Sequence, residues 1–311
     1  MTSYVSNQSV KTSATDYWNS EIETELNAMR AINRSLVLRN GDVTMHLRLS
    51  LFRHQRSKLG MAIRLIMPPP PLADLGLSKP LLAQLQNSRP RGLLIITGPT
   101  ASGKTTTALS IFQHLNSTTS GHLVTIEDPI EYGLAPERCA ITQREVGTDV
   151  TSFGQGLIEA MRHAPEAILA SEIRDRDAAE AAIMGGESGA LMVVTTHGQS
   201  IPGTLRKLLA YCGENADAMR TVLAGGLIGV VRQERVPFKD GSGFGLVHDT
   251  LHGTENVKKA LAAGDWHVLQ RIVRADKPSA DFEPMHTKLQ ELMRRTEPHV
   301  LEQVVRAAEM A

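Results

Sequence analysis

Cysteine is scarce, aromatic residues are few and neither sign of charge dominates in this chain of 311 residues, and each shortage removes a class of function. The two cysteines, Cys139 and Cys212, form no C-x-x-C pair. That excludes a four-cysteine zinc module and fits ordinary thiols in a reducing compartment. Aromatics make up 4%, leaving few platforms on which single-stranded bases could stack. Lys plus Arg total 33, as do Asp plus Glu, so no overall field draws the chain to nucleic acid, and no direct nucleic-acid partner is expected. Apolar runs such as residues 190–194 fall far short of the ~20 residues of a membrane span. The opening MTSYVSNQSVKTSATD holds no apolar signal-peptide core. Any membrane role is expected to go through partners. Apolar residues are plentiful, at 41%, enough for a sizeable core in two domains or one large one.

The most informative residues are Gly98, Pro99, Thr100, Ala101, Ser102, Gly103, Lys104 and Thr105. They satisfy G-x-x-x-x-G-K-[ST], the loop that cradles nucleotide phosphates. Residues 92–97 (GLLIIT) read as a buried strand and 104–115 (KTTTALSIFQHL) as a helix, which is the context the loop needs. Successive backbone N–H groups then face an anion, and the helix N-terminus, with Thr106 in its first turn, adds the positive end of its dipole. Lys104 is expected to reach the β- and γ-phosphates, and Thr105 to place its hydroxyl on Mg²⁺.

Prolines 68–71 divide the chain. Residues 1–15 are Ser/Thr-rich and read as disordered. Residues 16–33 read as an amphipathic helix, with Trp18, Ile22, Leu26, Met29 and Ile32 on one stripe. Val43, Met45, Leu47, Leu49 and Leu51 alternate with Thr44, His46, Arg48 and Ser50, a half-buried strand, and 60–67 reads as a second. This front piece, 16–67, is αββ and small for an independent domain. A Pro-rich linker, 68–77, leads to the domain spanning 78–311, which opens with a short helix at 78–87. There strands at 122–127, 167–170 and 190–196 alternate with helices at 153–163, 178–184, 204–211 and 216–231, so a mostly parallel sheet is expected. A strand follows at 246–251. Thr254 reads as the N-cap of a helix ending near Gly264, and the tail carries helices at 282–295 and 298–310.

Hydrolysis needs a magnesium anchor, a group to polarise water and positive charge for the transition state. In parallel sheets such groups gather at the carboxyl ends of strands. Glu172 follows an apolar strand, where an acidic residue near Mg²⁺ is usual. Glu127, Asp128 and Glu131 cluster at another strand end, and Thr196 with His197 ends a third. Each has a plainer reading: a turn cap for Glu172, a solvated loop charge for Glu131, a structural imidazole for His197. Three such ends behind a phosphate loop together favour chemistry.

The order GPTASGKTTTAL (98–109), TIEDPIEY (125–132), QREV (143–146), AILASEIRD (167–175) and TTHGQS (195–200) resembles the PilT/GspE secretion ATPases. These drive type IV pilus, type II secretion and some type IV secretion and conjugation machines. The similarity runs from about residue 18 to the end, including GTENVKKAL (253–261). It implies a RecA-like P-loop NTPase core with a mostly parallel sheet, an α/β fold, preceded by a truncated PAS-like α+β domain and followed by a helical tail (about 254–311). It implies ATP and Mg²⁺ as ligands, with Glu131 as the catalytic glutamate of the aspartate box, Glu172 as the Walker B acid and His197 ending the histidine box. Arg56 and Arg64 lie where the family's small domain sends arginines toward a neighbouring subunit's nucleotide. The resemblance further implies a hexameric cytoplasmic ring, peripheral at the inner membrane and partnered by a platform or secretion-machine protein.

Four departures stand out. The front domain is entered about halfway, without the early D-x-H-L-type strand. Ser171 stands where Gly is common, and Gly198 where Thr is common. NVKKAL replaces the A-I-R-N-L-I-like segment of pilus retraction ATPases, which argues against retraction itself and puts a conjugation or Dot/Icm-like secretion ATPase on at least an equal footing with a true retraction ATPase. A non-hydrolysing nucleotide-binding regulator is a further reading. A RecA-like DNA motor is another, opposed by the zero net charge and few aromatics.

Overall fold

The computed structural model describes residues 2–5, 24, 31–40, 43–54, 58–241, 243–285, 292 and 296. The chain forms two units, Met1–Pro68 with Pro129–Leu134, and Pro69–Asp128 with Ala135–Ala311.

The front unit holds a four-stranded antiparallel sheet of β1 (Thr2–Val5), β2 (Ala31–Asn40), β3 (Val43–His54) and β4 (Lys58–Ile66), in the order β1-β4-β3-β2. The alternation in β3 does what a period of two requires. Leu49 lies opposite Ile63, and Leu51 lies opposite both Met61 and Ile32. Leu49, Leu51, Met61 and Ile32 are all buried. The intervening residues carry the polar side chains, with Arg48 directly opposite Arg64. Two expectations fail here. Thr2–Val5, inside the stretch read as disordered, pairs with β4. Ala31, Ile32 and Asn33, read as the end of a helix, begin β2 because the run from Ile32 to Leu38 can zip against β3 over its whole length. Thr24 is helical; the rest of 16–30 lies outside the described residues.

The second unit is built on an eight-stranded sheet in the order β12-β11-β10-β5-β9-β8-β6-β7. The strands are β5 (Gly92–Thr97), β6 (Gly121–Glu127), β7 (Cys139–Glu145), β8 (Ala167–Ala170), β9 (Leu191–Thr196), β10 (Leu227–Pro237), β11 (Phe244–His252) and β12 (Phe282–Glu283). From β10 to β7 all pairings are parallel; β11 and β12 add an antiparallel edge. Every residue of β5, β8 and β9 is buried, so these strands read as unbroken apolar runs, as strands covered on both faces must.

The helices are α1 (Lys79–Leu85), α2 (Lys104–Thr118), α3 (Phe153–Met161), α4 (Arg176–Gly185), α5 (Ile201–Tyr211), α6 (Ala216–Gly226), α7 (Glu255–Ala263) and α8 (Trp266–Val273). Ser152, Asp175, Ser200, Thr254 and Asp265 cap α3, α4, α5, α7 and α8 by accepting a backbone N–H with their side chains. Each such cap contributes about 1 kcal/mol. The helices close over a core that includes Leu93, Ile95, Ile126, Leu157, Ile183 and Val194.

Differences from the sequence reading cluster in the second half. The helix expected over 216–231 stops at Gly226, and Leu227 starts β10. Gly225 and Gly226 weaken the helix, and the β-branched Ile228, Val230 and Val231 suit a slot between β5 and β11. Strand β7 and helix α8 are additions to the elements expected from the sequence. Phe282 and Glu283, expected to open a tail helix, pair with Leu251 and Thr250 of β11; most of 286–295 and all of 298–310 lie outside the described residues. In the stretch read as a linker, Leu72–Leu75 forms a 3₁₀ turn, and Leu72, Leu75 and Leu77 are buried in the second unit's core.

Candidate active site

The loop between β5 and α2 is the centre of the site. At Gly98 (φ +149°) a Cβ would lie 2.3 Å from the carbonyl oxygen of Gln233, so only glycine lets the chain turn here. Ala101 sits at φ +63°, a conformation that stores strain in a residue with a Cβ. The loop is braced from β10, whose Gln233 Nε2 donates to the Ser102 carbonyl at 2.7 Å and Arg235 Nη1 to the Ala101 carbonyl at 3.2 Å. No side chain caps the N-terminus of α2. Ser102 Oγ is buried without a hydrogen-bond partner.

Lys104 is 8% exposed and folds back over the loop. Its Nζ donates to the carbonyls of Gly98 (3.0 Å) and Pro99 (2.8 Å) and lies 3.4 Å from His197 Nδ1. The opposite ring nitrogen, Nε2, lies 3.4 Å from Glu172 Oε1. Glu172 Oε2 accepts from Arg174 Nη2 at 2.7 Å, and Arg174 Nη1 donates to Asp128 Oδ2 at 3.0 Å. A chain of charged and polar groups thus runs Lys104–His197–Glu172–Arg174–Asp128 across the ends of β5, β9, β8 and β6.

Burial pushes Lys104 below the ordinary lysine value, opposed by the charge of Glu172. Burial and then the Lys104 charge push His197 below its ordinary 6.5, with Glu172 opposing, so the neutral imidazole is favoured near pH 7. For Glu172, burial works against ionisation. The Arg174 hydrogen bond and the charges of Arg174, His197 and Lys104 outweigh it and hold the carboxyl below the ordinary carboxylate value.

An uncapped helix N-terminus, a glycine-lined turn and a buried ammonium fit nucleotide phosphates. Thr105, half-buried in the first turn of α2, and Glu172, after β8, are the side chains that could hold a Mg²⁺ there. Among the described residues no group of three or more His, Cys, Asp or Glu side chains could hold a metal.

Of the acidic residues expected at 127–131, Glu127 and Asp128 belong to the second unit and Glu131 to the front unit. Glu127 is fully buried, its Oε1 accepting from Thr125 Oγ1 (2.6 Å) and Gln143 Nε2 (2.9 Å). Asp128 joins Arg174. Glu131 belongs to the front unit, where Arg48 Nη1 donates to its Oε1 at 2.5 Å and the neighbouring Tyr132 ring lies 4.2 Å from the ring of His46. Arg64 is exposed on β4 of that same unit; Arg56 lies outside the described residues. Arg48, Arg174, Gln233 and Arg235 are not among the site residues expected from the sequence. Gly198 has a local cause. A Cβ there would meet Thr204 Oγ1 at 2.1 Å and Thr97 Oγ1 at 2.7 Å, two hydroxyls that are bonded to each other at 3.0 Å.

The model of the type II/IV secretion system protein family matches residues 36–306. The chain belongs to that family. Its relatives include the uncharacterized protein YggR of Escherichia coli (strain K12), 32% identical over 251 residues, 78% of this chain and 76% of that protein. The type IV pilus ATPase PilU of Pseudomonas aeruginosa is 32% identical over 229 residues, 73% of this chain and 59% of that protein, so the chain spans less than two thirds of this relative. Among solved structures, the pilus retraction motor PilT with bound ADP matches with a TM-score of 0.80 at 26% identity, covering 96% of this chain and 83% of that one. The mixed α/β fold with a mostly parallel central sheet is that of these secretion and pilus ATPases. Among the described residues no helix is long and apolar enough to cross a membrane.

Proposed function

We propose that this chain is a Mg²⁺-dependent ATPase that powers assembly, disassembly or substrate transfer in a type IV pilus, type II–IV secretion or conjugation machine. In this reading it works as a cytoplasmic hexameric ring, docked on a platform or secretion-machine protein at the inner membrane. The ATPase reading is carried by one observation: Lys104, His197 and Glu172 converge at the ends of three adjacent strands, β5, β9 and β8, over the phosphate loop.

When bound, Mg²⁺ and ATP supply the phosphoanhydride and the neutralising metal charge. The residues of the chain do the rest. The loop amides of Gly98–Gly103 and the first turn of α2, through Thr106, bind the phosphates, and Lys104 exchanges its loop carbonyls for β- and γ-oxygens. Thr105 and Glu172 hold the metal side. Neutral His197 reads the γ-phosphate position as a donor. Glu131 polarises the attacking water, an assignment resting on its match to the family's aspartate box. Arg64 and Arg56 offer their guanidinium groups to a neighbouring subunit's nucleotide.

The test is phosphate release by the purified full chain in Mg²⁺ and in EDTA. Turnover is expected only with Mg²⁺, and Lys104→Ala is expected to lower it by about 10²–10³-fold or more. ATP binding without turnover in the wild type would instead favour a non-hydrolysing regulator. A wild type that binds no nucleotide would overturn both readings.

A further inference from the structure

Arg174 is the guanidinium in the site that touches neither the phosphate loop nor Lys104. Its two terminal nitrogens are divided between acids on different strand ends, Nη2 on Glu172 Oε2 (2.7 Å) and Nη1 on Asp128 Oδ2 (3.0 Å), and its planar group lies 5.9 Å from the Phe153 ring centroid. On its other oxygen, Glu172 meets His197 Nε2 at 3.4 Å, while the opposite ring nitrogen faces Lys104 Nζ, also at 3.4 Å. The imidazole therefore stands between an ammonium and a carboxylate that attract each other.

We propose that Arg174 is a positioning residue that holds Glu172 away from Lys104, keeping the lysine ammonium available for an incoming phosphate. Without it, Glu172 keeps its charge but loses its hydrogen-bonded counter-ion. The nearest remaining full positive charge is Lys104, whose Nζ is held only by two carbonyls and an imidazole. An internal Lys104–Glu172 pair then competes with phosphate for the ammonium. Arg174 achieves this without contacting nucleotide, and Asp128 anchors its second nitrogen so that it does not follow Glu172 inward. The proposal rests on the reading of residues 98–105 as a nucleotide site.

The test is binding of mant-ATP to the purified full chain in EDTA at low salt, where Glu172 has no metal to hold and turnover plays no part. Arg174→Ala is expected to weaken binding about fivefold, the scale of a partly exposed ion pair. Arg174→Lys is expected to stay within about twofold of wild type, because an ammonium can still hold Glu172. In the Arg174→Ala background, Glu172→Gln should restore affinity, since the amide carries no charge to capture Lys104. Asp128→Asn in that background has the same net charge but leaves Glu172 free, and should stay weak. Unchanged binding in Arg174→Ala overturns the proposal. So does failure of Glu172→Gln to rescue, which would place Arg174 on the phosphates directly, or equal rescue by Asp128→Asn, which would reduce the effect to net charge. A wild type that does not bind mant-ATP removes the nucleotide reading and this proposal with it, a result distinct from all of these.

Discussion

The two sheets display their functional groups in different places. In the front unit, strands alternate, one face is apolar, and the polar and charged residues stand on the other: His46, Arg48 and Arg64, with Glu131 and Tyr132 of the Pro129–Leu134 strip bound there. In the nucleotide unit, β5, β8 and β9 are buried along their whole length and have no face to spare. Their chemistry leaves at the strand ends, as Lys104, Glu172 and His197 do. An antiparallel sheet with one open side can present a charged surface, whereas a parallel sheet covered on both sides can present only its rim.

The largest stability contrast follows from that difference. Ile95→Ala in fully buried β5 is expected to cost about 2–5 kcal/mol, the range for emptying a packed core site. Leu65→Ala in β4, at a residue 45% exposed, is expected to cost about 0.5 kcal/mol. Urea unfolding of the two variants checks this, and equal losses would mean that Leu65 is covered in the working protein. Next comes Gly198→Ala, whose new methyl meets the Thr97–Thr204 hydroxyl pair and is expected to cost about 1–3 kcal/mol. Thermal unfolding reads it, with Thr204→Ala added to relieve the 2.1 Å clash; no rescue would place the strain elsewhere.

The smallest expected effect is pH dependence, and it belongs to the nucleotide unit. Burial holds His114, His197 and His252 below the ordinary 6.5, with Asp281 opposing the shift at His252. The folded protein keeps these rings neutral while the unfolded chain protonates them, so below pH 6.5 unfolding takes up protons. Their contribution to stability is full above pH 6.5 and is lost as the pH falls through the lower folded values. Tm should drop as the pH falls below about 6.5, and His252→Gln should flatten part of that slope. A Tm independent of pH in this window would contradict the assignment.

The contrast between the sheets also explains which parts of the fold and site are legible in the sequence. The phosphate loop and the ends of β8 and β9 were legible because a short polar motif follows an unbroken apolar run. The alternation of β3 was equally plain and put Arg48 on a polar face. Its partner Glu131 is 83 positions away, and no local pattern carries that pairing. Gln233 escaped for the same reason, at 131 positions from Ser102. Strand β10 was hidden because the Ala/Gly-rich helix before it runs into it without a polar break. Arg174 was in view, beside Glu172, but its link to Asp128 at the end of β6 exists only once β6 and β8 pair.

The proposal at stake assigns ATP binding to Lys104 and water activation to Glu131. The most direct measurement is ATP binding and turnover by Glu131→Gln, side by side. Binding at the wild-type level with turnover reduced by about 10²–10⁴-fold is expected, because an amide cannot polarise water as a carboxylate does. Turnover at the wild-type rate would contradict the claim and move the water-activating group away from Glu131.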